Sequence, residues 1–146
     1  MNQLNPVDIL LVEDNPRDAE LTIRTLKKHE LANRLIHVED GAEALDFIFS
    51  RGKFAEEGLQ YPKVVFLDIK LPKVNGLEVL RALKNDQHTN TIPVVIITSS
   101  QEDPDLKTAY ALGANSYVVK PVAFEDFQEI MRQLGYYWLL VNKALG

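Results

Sequence analysis

The sequence predicts an α/β fold in which a five-stranded parallel sheet is covered by helices on both faces. Short runs rich in β-branched residues alternate with longer segments whose apolar residues recur at helical spacing, which implies right-handed β-α-β crossovers. Three of the runs are almost wholly apolar, as strands buried on both faces of a sheet are. The predicted strands are VDILLV (7–12), RLIHV (34–38), KVVFL (63–67), PVVIIT (93–98) and SYVV (116–119).

The second run, RLIHV, mixes polar and apolar residues and therefore predicts an edge strand of the sheet. A helix is predicted after each strand, because three or four apolar residues in each segment fall on one helical face. These faces consist of Ala19, Ile23 and Leu26; Leu45, Ile48 and Phe49; Leu77, Leu80 and Leu83; Leu106, Ala109 and Leu112; and Phe124, Phe127, Met131 and Leu134.

Capping residues indicate where several helices begin. Asn15 and Asp103 each precede a proline that suits the first helical turn. Asn75, followed by Glu78 three residues later, resembles a capping box. Asp40 precedes the second helix and is predicted to be its cap or a solvated loop residue.

Composition restricts the class of protein. The length of 146 residues and hydrophobic fraction of 46% suit one compact domain, with a core at about 7–135 and an extension of the last helix at 136–146. A net charge of −5 argues against binding nucleic acid or an anionic membrane through phosphate charge. Without cysteine, a disulfide framework, a zinc-thiolate site and a thiol nucleophile are excluded. We expect a cytoplasmic protein, since no signal peptide or apolar stretch of about 18 residues is evident.

Polar residues with complementary chemistry follow four of the predicted strands. Glu13 and Asp14 follow the first strand, Asp68 the third, Thr98 ends the fourth and Lys120 follows the fifth. Open α/β sheets bind ligands at this edge. Carboxylates gathered there repel one another unless a cation or a proton lies between them, and oxygen ligands suit Mg²⁺. A lysine and a hydroxyl suit a phosphoryl group, for which a carboxylate can be the nucleophile.

Each of these residues alone is weak evidence for a binding site. An acid after a strand, for example, is usually a helix cap or a solvated charge. Together they resemble the signature blocks of two-component response-regulator receiver domains, from about Val7 to the last helix. The resemblance implies the flavodoxin-like strand order 2-1-3-4-5, which places the first and third strands side by side. The segments that resemble this family are DILLVEDN, VVFLDIKLPKVNG, PVVIITSS and GANSYVVKP.

The resemblance implies a magnesium site and a phosphoacceptor. Asp68 matches the family's phosphoacceptor and, with Asp14, would bind Mg²⁺ directly. Glu13 would bind the ion through water, and Lys70 through its backbone carbonyl. The activity implied is that of a phosphoacceptor, which is not an enzyme apart from intrinsic loss of its own phosphoryl group.

The resemblance also implies a switch. Thr98 and Lys120 would contact the phosphoryl oxygens, and Tyr117 matches the aromatic residue whose rotamer reports phosphorylation. The bond between Lys120 and Pro121 matches a cis peptide of the family. Phosphorylation would draw Thr98 inward and make room for Tyr117, as a population shift between two states.

Two departures from the common receiver pattern narrow the subfamily. The stretch 50–62 predicts a long irregular loop, and the chain continues past the usual end of the last helix. Both features resemble the small stand-alone regulators encoded beside bacterial and cyanobacterial phytochromes. The resemblance therefore implies a sensor histidine kinase of the phytochrome type as partner, with no nucleic acid or membrane involved.

The tail predicts an interface between two copies of the chain. Helical continuation beyond Leu134 would place Trp138, Val141 and Leu145 on one apolar stripe, which predicts a two-fold homodimer. The surface of the fourth helix and fifth strand would extend this interface. The alternative is a tail that folds back over its own domain.

Three other functions remain as alternatives. A phosphohydrolase of the haloacid-dehalogenase type would have a second acid two residues after its nucleophile, where Lys70 stands. A flavin- or nucleotide-binding module would carry a glycine-rich phosphate loop after a strand, and the sequence has none. A degenerate receiver would act only as a scaffold, and the complete set of acids, threonine and lysine speaks against it.

Overall fold

A parallel five-stranded sheet in the order β2-β1-β3-β4-β5 organises the computed structural model, which describes residues 6–144. The strand order and the parallel pairing are confirmed. Each strand ends at the predicted residue. The strands are β1 (Ile9–Val12), β2 (Leu35–Val38), β3 (Val64–Leu67), β4 (Val94–Thr98) and β5 (Ser116–Val119).

A helix follows every strand, as predicted. A helix with the length and the hydropathy of a membrane span is not found among residues 6–144. The helices are α1 (Pro16–Lys28), α2 (Gly41–Ile48), α3 (Gly76–Asn85), α4 (Asp103–Ala111) and α5 (Phe124–Tyr136).

Side-chain alternation along the strands builds a separate apolar core on each face of the sheet. In β1, Leu10 contributes to a core with α2, α3 and α4, whereas Ile9 and Leu11 contribute to a core with α1 and α5. The same alternation holds in β3 and β4. Successive side chains of a strand point to opposite faces, so strands covered on both sides are apolar throughout.

The register of the sheet brings the ends of β1 and β3 together. Val12 pairs with Leu67 on one side and with Val38 on the other. The residues after Val12 and Leu67 therefore emerge side by side at the carboxyl edge of the sheet. The edge position predicted for β2 is confirmed, and its residues are mostly half-buried.

Three of the four predicted helix caps are confirmed. Asn15, Asp40 and Asn75 each accept a hydrogen bond from a first-turn amide. The cap predicted at Asp103 is wrong, because α4 begins at Asp103 and Glu102 precedes it without a side-chain bond to the described part of the chain. The proline after Asp103 fits either of the first two helical positions, because amides there have no intrahelical acceptor to lose. The proline alone therefore does not define which residue begins α4.

The stretch 50–62 is less irregular than predicted. Gly52–Glu57 form a 3₁₀ helix, and the ring of Phe54 packs edge-on against Phe47 of α2 with 5.2 Å between ring centroids. Burial of this aromatic contact gives the stretch 50–62 a fixed position beside α2.

The tail continues α5 as a π-helical turn over Tyr137–Val141. Trp138 packs against the α1 and α5 core, while Val141 remains 54% exposed, so these two residues do not share the predicted stripe. The wider π turn changes the spacing at which side chains align. Leu145, the third member of that stripe, lies outside the described residues.

Candidate functional site

Three carboxylates meet at the carboxyl edge of β1 and β3. One carboxylate oxygen of each of Glu13, Asp14 and Asp68 lies within 4.8 Å of the others. Glu13 and Asp68 are buried, and Asp14 is exposed. We call these three residues the carboxylate cluster. Asp68 lies far along the chain from the other two members, and the β1–β3 register unites them.

Lys120 reaches this cluster from the end of β5. Its Nζ lies 2.8 Å from Oε1 of Glu13 and 3.0 Å from Oδ2 of Asp68. It also lies 2.9 Å from Oδ2 of Asp18, a residue that sequence reasoning missed. The prediction of a cis peptide bond between Lys120 and Pro121 is wrong, because the described residues contain no cis peptide bond. The lysine side chain is long enough to reach the cluster from a trans bond.

Burial and ion pairing set the protonation of this site. Desolvation raises the pKa of Glu13 to about 7, although the hydrogen bond and charge of Lys120 act against the shift. Burial alone would lower the pKa of Lys120. The hydrogen bond to Glu13 and the charges of Asp68 and Glu13 outweigh that effect and raise it. Lys120 is therefore a permanent cation among the carboxylates.

Backbone groups fix the orientation of the buried carboxylates. The amide of Asn15 donates to Oε2 of Glu13 at 3.1 Å, and the amide of Lys70 donates to Oδ1 of Asp68 at 3.3 Å. Nε2 of His37 lies 2.9 Å from the carbonyl oxygen of Glu13. The Lys70 amide contact places the β3–α3 loop beside Asp68, while metal binding by the Lys70 carbonyl stays a prediction.

The predicted switch residues are connected through Ser100. Thr98 is buried at the end of β4, and its Oγ1 accepts a 3.4 Å hydrogen bond from the amide of Ser100. The hydroxyl of Tyr117 donates to the carbonyl oxygen of Ser100 at 3.0 Å. Ser100 Oγ donates to Oδ2 of Asp105, on the first turn of α4, at 2.5 Å. Ser100 thus bonds to both predicted switch residues and to the start of α4.

The carboxylate cluster has the chemistry of a hard-cation site. All of its donors are oxygen atoms, and the exposed Asp14 leaves room for water, as Mg²⁺ requires. The charges of three carboxylates also exceed what one lysine neutralises. The residues therefore fit a divalent cation.

Asp18 and Ser100 were absent from the predicted site. Asp18 follows Asp14 by four residues and lies on the first turn of α1. An acid at that spacing was the sequence signal that could have placed Asp18 at the site. Ser100 bonds to Thr98 and Tyr117 through its backbone amide and carbonyl, for which side-chain chemistry gives no signal.

The response regulator receiver domain model matches residues 9–132 of this chain. The probable methanogenesis regulatory protein FilR2 of Methanothrix harundinacea is 39% identical over 143 residues, which cover 97% of this chain and 90% of that protein. Response regulator Rcp1 of Synechocystis sp. is 34% identical over 134 residues, which cover 92% of this chain and 90% of Rcp1.

Solved structures give the same result. The Mn²⁺-bound form of Rcp1 aligns with a TM-score of 0.90 at 32% identity, covering 97% of this chain and 100% of that one. The phosphorylated cyanobacterial phytochrome response regulator RcpA aligns with a TM-score of 0.90 at 30% identity, with the same coverage of both chains. With the family model matching most of its length, this chain belongs to the receiver domain family of two-component response regulators.

Proposed function

We propose that Asp68 is the phosphoacceptor of a response regulator that a sensor histidine kinase phosphorylates. The observation that supports this assignment is the meeting of the carboxylate cluster with Lys120, whose Nζ lies 3.0 Å from Asp68. Asp68 is the acid of the cluster that follows β3, between the elements that supply the other acids and the lysine. Thr98 ends the neighbouring strand β4.

In the proposed step, a carboxylate oxygen of Asp68 attacks the phosphorus of a phosphohistidine. An O–P bond forms as the P–N bond breaks, and the bonding electron pair stays on the imidazole nitrogen. Lys120 stabilises the charge on the phosphoryl oxygens, and the Thr98 hydroxyl donates to one of them. Mg²⁺, held by Glu13, Asp14, Asp68 and the Lys70 carbonyl, would neutralise further charge on those oxygens. The kinase supplies the phosphoryl group, so the chain acts as acceptor and switch.

A small-molecule phosphodonor tests this assignment directly. Incubation with acetyl phosphate and Mg²⁺ should add one base-labile phosphoryl group at Asp68, and chelation of Mg²⁺ should abolish labelling. Asp68→Asn should not label. Asp40→Asn is the matched control, because Asp40 follows β2 at the same edge but caps α2. Equal labelling of Asp68→Asn and the unmodified protein would refute the assignment.

We propose a phytochrome-type histidine kinase as the phosphodonor. RcpA is a cyanobacterial phytochrome response regulator, and its alignment covers 97% of this chain. We propose the cytoplasm as the compartment in which this donor and the chain meet. Transfer from a phytochrome kinase should differ between its two light states. Transfer only from a kinase without a photosensory domain would refute this partner and leave the role of Asp68 intact.

We also propose a two-fold homodimer through the end of α5, extended by the exposed surface of α4 and β5. Four neighbouring apolar or aromatic side chains at the end of α5 are about half exposed or more. Contiguous apolar surface of this kind usually marks an interface. The four are Tyr136 (52%), Tyr137 (46%), Leu140 (64%) and Val141 (54%).

A further inference from the structure

The ammonium group of Lys120 has as many carboxylate partners as it has N–H bonds. Glu13, Asp18 and Asp68 lie 2.8, 2.9 and 3.0 Å from its Nζ, respectively. Of these three, Asp18 alone stands outside the carboxylate cluster. The Lys120 side chain is 9% exposed, so water contributes little to its solvation and these three contacts determine its position.

Asp18 has a fixed position of its own, independent of the lysine. It lies on the first turn of α1, where its amide donates to Oδ1 of Asn15 at 3.1 Å. Its carbonyl accepts a 2.9 Å hydrogen bond from the Thr22 hydroxyl. The N-terminus of a helix also favours an ionised carboxylate. The backbone of Asp18 therefore keeps its position whether or not Lys120 is present.

The other two carboxylate partners of Lys120 are also candidate ligands of a divalent cation. Glu13 and Asp68 belong to the cluster that fits a divalent cation, so an ion bound there shares their oxygen atoms with the ammonium. Two cations that share the same carboxylates repel each other. The contact between Lys120 and Asp18 involves no cluster oxygen and can persist when an ion binds.

We propose that Asp18 is a positioning residue that holds the Lys120 ammonium on the α1 side of the carboxylate cluster. Glu13 and Asp68 then stay available to a divalent cation while Lys120 still reaches Asp68. This inference rests on the proposed phosphoacceptor function. Without the Asp18 carboxylate, the ammonium keeps only Glu13 and Asp68 as ionic partners among the described residues and competes more strongly with the ion.

A double-mutant cycle read by calorimetric Mg²⁺ titration tests the proposal. The four proteins are the unmodified chain, Asp18→Asn, Lys120→Met and the double variant. Asp18→Asn should weaken Mg²⁺ binding about tenfold when Lys120 is present, which is the size of coupling expected between contacting charges. In the Lys120→Met background the loss should be less than about twofold, since only a long-range charge is removed.

Glu20→Gln is the matched control, because it removes the same charge from α1 and Glu20 pairs with Arg24. It should change Mg²⁺ affinity by less than about twofold. Equal losses from Asp18→Asn in both Lys120 backgrounds would overturn the proposal, as would no loss in either.

Acetyl phosphate labelling at saturating Mg²⁺ gives a second readout. Asp18→Asn should label more slowly than the Glu20→Gln control, because the ammonium, drawn onto the oxygen atoms of Glu13 and Asp68, is less available to the phosphoryl oxygens. An unmodified chain that fails to label would refute the phosphoacceptor function itself. Normal labelling of the unmodified chain with an additive Mg²⁺ cycle would refute only the role of Asp18.

Discussion

Tyr117 and Ser100 are joined by a 3.0 Å hydrogen bond from the tyrosine hydroxyl to the serine carbonyl. Ser100 follows the buried Thr98 by two residues, and its amide donates to the Thr98 hydroxyl oxygen. An inward movement of Thr98 toward a phosphoryl group would therefore act on the same residue that holds Tyr117. The proposed switch has a direct physical connection in the β4–α4 loop.

Tyr117→Phe should lower the free energy of unfolding by about 1 kcal/mol, the net contribution of one such hydrogen bond. Urea unfolding measures the change. Tyr110→Phe is the control, because Tyr110 is 50% exposed and its ring centroid lies 6.5 Å from that of Tyr117. Equal losses from the two variants would show that the bond to Ser100 contributes nothing specific.

Gly76→Ala should destabilise the protein by about 1–3 kcal/mol and slow the labelling of Asp68. A Cβ at this position would lie 2.0 Å from the carbonyl oxygen of Asp68, so the backbone of the proposed acceptor must shift. Gly135→Ala is the matched helical control, because its Cβ would instead meet the Leu26 side chain at 2.5 Å. The control should lose stability and keep its labelling rate. A Gly76→Ala protein that labels normally would contradict the prediction.

Thr25→Val should stabilise the protein by about 1 kcal/mol. Thr25 is 4% exposed and its Oγ1 has no hydrogen-bond partner among the described residues, so the substitution removes a buried hydroxyl that gains nothing from folding. Thr22→Val should have the opposite sign, because the Thr22 hydroxyl donates to the carbonyl of Asp18. Thermal unfolding of both variants provides the comparison, and a destabilised Thr25→Val would contradict the expected sign.

The metal-free protein should lose stability as pH rises through the titration range of Glu13. Burial raises the pKa of Glu13 from its ordinary value of 4.5 to about 7. Between those values the folded chain keeps a proton that the unfolded chain has released, so rising pH favours unfolding.

Urea unfolding in a chelator, at about pH 5 and about pH 8, measures this effect. In the Glu13→Gln variant the side chain at this position does not titrate, so it adds no loss of stability as pH rises. The amount by which the unfolding free energy of Glu13→Gln exceeds that of the unmodified protein should therefore grow with pH. A difference that stays constant would contradict the raised pKa.

Leu140→Ser should weaken the proposed homodimer by about tenfold or more, because it removes the most exposed of the four side chains that form this surface. Sedimentation across a micromolar concentration series measures the dissociation constant. Leu59→Ser is the control, since Leu59 is 58% exposed, close to the 64% of Leu140, but lies in the stretch 50–62 before β3. A monomeric unmodified protein, with Asp68 phosphorylated or free, would refute the dimer.

Local pattern was enough to predict the strands and most helix starts. The ends of the strands need no long-range information, because apolar β-branched runs stop where polar residues begin. These ends are Val12, Val38, Leu67, Thr98 and Val119. The start of α4 was predicted one residue late, since a proline is accepted at more than one first-turn position.

The sequence by itself determined the alternation of strands and helices, the acids after β1 and β3, and the lysine after β5. Only the tertiary structure decided that Asp18 shares Lys120 with Glu13 and Asp68, that Trp138 packs inward, and that Ser100 bonds to both predicted switch residues. Periodicity and side-chain chemistry are local properties of a chain. Contacts between residues as far apart as Asp18 and Lys120 depend on sheet register and helix packing, which the whole fold sets at once.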